Sequence, residues 1–62
     1  MKLAGPQRVP LVAGAAVRRF IRRRLLADGM PYTEERGLLD SLFVIDIPAG
    51  RDLTIPDEWA ER

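Results

Sequence analysis

Arg18, Arg19, Arg22 and Arg23 recur at helical spacing in a stretch with no acid, and in this 62-residue chain they form the one constellation that could do chemistry. A guanidinium is planar, stays charged at any working pH and binds phosphate or carboxylate through two parallel N–H donors. Four along one helix face could neutralise several phosphates or engage an acidic protein surface. The alternative is a solvated face, or one cancelled by the acidic half of the same or a neighbouring subunit, as in a structural or connector subunit of a larger bacterial or viral assembly that self-associates through its basic and acidic halves. Docking on an acidic partner is the role expected of these four, with nucleic acid first and an acidic protein or anionic membrane next. The stripe holds no Asn or Gln to read adenine edges, and no second helix is placed for a helix-turn-helix, so phosphate contact is expected rather than base readout.

The charges are segregated. Up to Arg24 there are seven positive charges and no acid; from Leu25 on, nine acids face three arginines, although the formal net charge is only +1. Such a dipole attracts an acidic surface with one half of the chain and repels it with the other.

Other chemistry is mostly missing. The chain has no His and no Cys, and Ser41 is its only serine, so it cannot assemble a Ser-His or Cys-His nucleophile and base. No loop carries the alternating acids of a calcium-binding hand, and no glycine-rich phosphate loop occurs. The pairs Glu34 with Glu35 and Asp57 with Glu61 read as solvated carboxylates, because acid catalysis needs a cleft that perturbs a pKa. A non-enzymatic protein without metal or cofactor is expected.

A chain this short buries only ~60% of its unfolded surface on folding, and it has neither disulfide nor zinc ligands to compensate. Oligomerisation or docking is the remaining way to bury more apolar surface. A homo-oligomer is therefore expected, with Leu42, Val44 and Trp59 as its interface residues; Trp59 has a competing use in the core. The apolar run Val9 to Val17 is too short to span a bilayer, and the arginines after it oppose export. A cytoplasmic location is expected, and heavy use of Arg and Ala with one Lys suggests a bacterial source.

These residues need elements to position them. Gly5, Pro6 and Pro10 argue against regular structure in residues 1–10, which read as an extended N-terminal arm before a single domain of residues 11–62. Pro10 suits a first helical turn, and Asp28-Gly29 suits a helix end, so a helix is expected over Leu11 to Ala27. Its apolar arc holds Ala13, Ala16, Val17, Phe20, Ile21 and Leu25, with the four arginines opposite. Arg24 falls inside that arc; its stem can run along the core with its charge at the helix C-terminus, or it can pair with Asp40 or Asp46.

Residues 31–41 admit two readings. Thr33 could cap a short helix carrying Leu38, Leu39, Leu42 and Phe43, or Pro31 to Arg36 could be a strand that turns at Gly37 and pairs with Leu38 to Ile47. Gly37 would cost a helix ~1 kcal/mol, and the hairpin is preferred. In Leu42 to Ile47, Phe43, Ile45 and Ile47 point one way and Leu42, Val44 and Asp46 the other, so the strand is expected to be covered on one side by the helix and on the other by something else, a second copy being one option. Ala49 to Asp52 reads as a turn, Leu53 to Ile55 as a short returning strand, and Pro56 to Glu58 as the start of a helical turn bearing Trp59. The fold class is α+β: one basic amphipathic N-terminal helix on a two- or three-stranded antiparallel sheet, with a short C-terminal helical turn.

The stretch Gly50-Arg51-Asp52-Leu53-Thr54-Ile55-Pro56-Asp57-Glu58 resembles the Gly-Arg…Thr-Ile-Pro-x-Glu segment of swapped-hairpin transcription regulators and antitoxins. The resemblance covers nine residues of 62. It implies a DNA-binding dimer, an antitoxin-like regulator. In that family the motif lies early and further strands follow it; here only four residues follow.

Overall fold

The computed structural model describes residues 1–60. The chain is α+β with antiparallel sheets, but strands precede the helix, so the helix is not the N-terminal element. The expectation of a helix from Leu11 is corrected: strand β2 runs Gln7–Gly14 and helix α1 runs Ala15–Ala27. Alternation explains why. Val9, Leu11 and Ala13 turn to the core while Pro10 and Val12 turn away, a period of two that outweighs Pro10 as a helix starter. Pro10 is tolerated because β2 lies at the edge of its sheet, where a missing amide donor costs little.

Helix α1 ends as Asp28-Gly29 led one to expect. Gly29 takes φ +65°, its N–H donates to the Leu26 carbonyl, and the Met30 N–H donates to that of Leu25. This pair of bonds satisfies carbonyls that the helix end would leave orphaned, and buried Met30 and Leu25 join the same core. The Arg51 guanidinium donates to the Asp28 carbonyl at 2.8 Å, placing a positive charge at the negative end of the helix dipole. Arg24 pairs with neither Asp40 nor Asp46; its Nε meets Asp28 Oδ2 at 3.1 Å, one turn along α1.

Residues 31–41 are the hairpin. Strand β3 (Tyr32–Arg36) pairs antiparallel with strand β4 (Asp40–Ile47), and β2 flanks β4 on its other side, giving the order β2-β4-β3. The Gly37 N–H closes the turn on the Asp40 carbonyl at 2.7 Å. Phe43, Ile45 and Ile47 are buried beneath α1, whereas Leu42, Val44 and Asp46 lie half-buried on the opposite face. On the free edge of β3 stand Glu34, Glu35 and Arg36, whose charges discourage another strand from adding there.

The expected N-terminal arm is also corrected. Strand β1 (Lys2–Ala4) pairs with strand β5 (Asp52–Thr54), with Leu3 opposite Leu53, and Lys2 Nζ lies 3.4 Å from Asp52. The returning strand thus pairs with the start of the chain and not with β4. At Gly5 the chain passes so close to β4 that a Cβ would collide with the Pro48 backbone and sit 2.7 Å from the Ile47 carbonyl oxygen, while the Gly5 N–H bonds to Arg51. Of the residues that argue against structure, Gly5 and Pro6 make the crossing between the two sheets, and Pro10 lies within β2. The short helix α2 (Asp57–Ala60) follows Pro56 as expected.

The core joins both sheets. Ile21 and Leu25 of α1 are fully buried with Phe43 and Ile45, and Leu53, Ile55 and Trp59 close the other end. Tyr32 tilts against Phe43 with ring centroids 5.9 Å apart. The apolar arc of α1 is narrower than expected: Phe20 is 57% exposed and Ala16 is exposed, both corrections to the core reading. Only the line Val17, Ile21, Leu25 faces the three-stranded sheet, and Phe20 lies about 100° round the helix from Ile21, off the sheet's flank.

Gly5→Ala should therefore lower stability by more than ~2 kcal/mol, since the added methyl meets backbone that cannot rotate away. Chemical denaturation compared with Gly14→Ala, which meets no atom within 4 Å, checks this; equal losses for the two would contradict it.

Candidate nucleic-acid interface on helix α1

The four arginines do not act alike. α1 lies across the sheet with one flank above β3 and the end of β4, and this flank carries Arg18 and Arg22. Arg22 grips Glu34 with two bonds, Nε to Oε1 and Nη2 to Oε2, each 3.0 Å. Glu34 points inward from β3 and its side chain is only 11% exposed. Arg36 Nε approaches the same carboxylate at 3.6 Å, and Arg18 Nη1 donates to the buried Ser41 hydroxyl at 3.4 Å. No buried polar side-chain atom among the described residues lacks a partner.

This arrangement holds the Glu34 carboxyl down to about 2. The hydrogen bonds from Arg22 contribute most; burial opposes them, and the Ser41 hydroxyl and the charges of Arg22 and Arg36 lower it further. Arg22, placed by sequence in the outward stripe, is thus a bridge between helix and sheet. The signal that could have located it is the inward register of Glu34, opposite Phe43, which places a carboxylate under the helix.

Arg19 and Arg23 stand on the opposite, outer side of α1. Both are exposed, and neither has an ion pair or hydrogen bond to its side chain among the described residues. They lie one turn apart on the same face of α1, the spacing at which Cβ atoms on a helix stand about 6 Å apart. Phe20 and Leu26, the latter 66% exposed, lie beside them. Sequence reasoning placed Phe20 in the core and so missed it as part of this surface. Of the residues expected at an oligomer interface, Leu42 and Val44 occupy the sheet face away from α1, while Trp59, 8% exposed, packs in the chain's own core.

The carboxylates do not assemble into a reactive pair. Glu34 and Glu35 point to opposite faces of β3, and Glu61 of the pair Asp57 with Glu61 lies outside the described residues. Among the described residues, no three acids come close enough together to hold a metal ion. No helix among them is long and apolar enough to cross a membrane. The outer side of α1 offers charge-assisted donors and an aromatic face, a combination that suits anionic groups adjoining flat rings.

The sign of the pH dependence follows from Glu34. Its carboxyl is depressed in the fold, so its contribution is present above the unfolded value near 4.5 and is lost as pH falls toward about 2. Glu34→Gln should cost on the order of 1–2 kcal/mol at neutral pH by leaving Arg22 half-buried and unpaired, and should flatten the acid limb between those values. Urea melts of both proteins from pH 7 to pH 2 measure this; parallel acid limbs would count against the bridge.

No family model matches the chain, and no curated protein or solved structure matches it.

Proposed function

We propose that this protein is a cytoplasmic, non-enzymatic binding module that lays the outer side of α1 on a nucleic acid. The observation that carries the reading is the pair Arg19 and Arg23, exposed one helical turn apart beside an exposed Phe20 and without partners among the described residues. Guanidiniums at that spacing suit successive phosphates, and Phe20 supplies a ring on which an unpaired base can stack. Arg18, half-buried and weakly held by Ser41, flanks the pair; Arg22 is committed to Glu34. The four-residue stripe is thus reduced to two outward contacts and one at the flank. An acidic protein surface would be drawn to the same charges, but it has no particular use for the ring.

The test is titration of a fluorescent single-stranded oligonucleotide at several salt concentrations. Two or three neutralised phosphates on a single strand give a log–log slope of about −1.4 to −2.1. Arg19→Gln/Arg23→Gln should remove most of that slope and weaken binding at least ~10-fold, and Phe20→Ala should cost about 1–3 kcal/mol of binding. Absence of binding at low salt, or binding indifferent to salt and to the double substitution, would end the nucleic-acid reading.

A further inference from the structure

The sheet has a second face, turned away from α1, that no element of the described chain covers. Register places three cross-strand rows on it: Val12, Leu42 and Glu35; Pro10, Val44 and Thr33; then Arg8 and Asp46 at the far end. The middle is apolar and half-exposed. The ends differ in charge. At one corner Glu35, with Asp40 beyond it, lines a shallow hollow shared with Val12 and Leu42, and neither acid has an ion-pair partner among the described residues. Arg36 also borders the hollow, but its guanidinium is turned to Glu34. At the diagonally opposite corner Arg8 projects with its side chain 72% exposed, meeting only Asp46 at 2.8 Å.

From this diagonal we infer that the outer sheet face pairs with the same face of a second copy of the chain. A two-fold axis lying between two such faces, set across the Arg8–Glu35 diagonal, lays Arg8 of each copy over Glu35 of the other. That operation crosses the strands of the two sheets near a right angle, one of the two ways sheets pack face to face. Val44 then sits on the axis against its own counterpart, and Leu42 meets Pro10 of the second copy. The interface is isologous, as a closed dimer requires. An arrangement with the strands aligned would leave Glu35 and Asp40 without a cation.

The area sets the strength. Three strands by about 20 Å of strand length give a footprint near ~300 Å² per copy, below the range of standard stable interfaces. The dimer is accordingly of the weak, reversible class. It is independent of the nucleic-acid reading, since Arg19 and Arg23 lie on the other side of the molecule.

Sedimentation equilibrium of the full chain from about 1 μM to 500 μM tests the proposal. A monomer–dimer equilibrium is expected that weakens at least tenfold in Val44→Asp. Because that change lies in a central strand, folding is followed by circular dichroism, and a charge exchange supplies a second variant. Arg8→Glu alone should weaken association several-fold, and Arg8→Glu/Glu35→Arg should restore it. Arg19→Gln/Arg23→Gln should leave it unchanged. A monomer at every concentration would overturn the proposal and leave the face to a different protein. So would a dimer that ignores Val44→Asp and the charge exchange, or one that falls apart with the α1 double variant.

Discussion

The bond between Arg22 and Glu34 governs how the helix lies on the sheet. The line Val17, Ile21, Leu25 supplies burial, but apolar contact is non-directional and would tolerate rotation of α1 about its axis. Two parallel hydrogen bonds between planar groups do not tolerate it. With Arg22 drawn down to Glu34, Phe20 must rise off the opposite flank and Arg19 and Arg23 must face out. The ion pair is a weak source of net stability after desolvation, and its larger effect is to select one orientation.

This divides one run of like residues into two tasks. Arg22 and Arg18 meet acceptors on β3 and β4, Arg24 and Arg51 gather at the C-terminal end of α1, and Arg19 and Arg23 are left outward. The segregation of charge along the chain is thus largely internal: the basic half folds over the acidic half, and the field outside is set by the few groups left over. The formal dipole of the sequence overstates what the folded surface presents.

Legibility followed locality. The helix end was readable because Asp28, Gly29 and Met30 act on their own neighbours, and the β3–β4 hairpin because the alternation in Leu42 to Ile47 is strong and Gly37 is a poor helix residue. The helix start was misread because Pro10 serves a first helical turn and an edge strand equally well, and only the pairing of Leu11 with Phe43 decides between them. Strand β1 left no trace because its three residues are extended only by virtue of β5, about fifty positions away. Arg22 could not be told from Arg23 without the register that turns Glu34 inward. Each failure concerns a contact whose two sides are far apart in the chain.

The pairing of β1 with β5 has a consequence for how the molecule is made. On a ribosome, β1 emerges first and has nothing to zip against until Leu53 and its neighbours have left the tunnel, several seconds later at ordinary elongation rates. Until then Leu3 lacks the strand that covers it, although β2 can already pair with β4, which precedes β5 in the chain. Once β2 has paired with β4, Gln7 stands beside Ile47, so only residues 5–6 and 48–51 are left to span and the β1–β5 ladder completes a short connection, not a long loop.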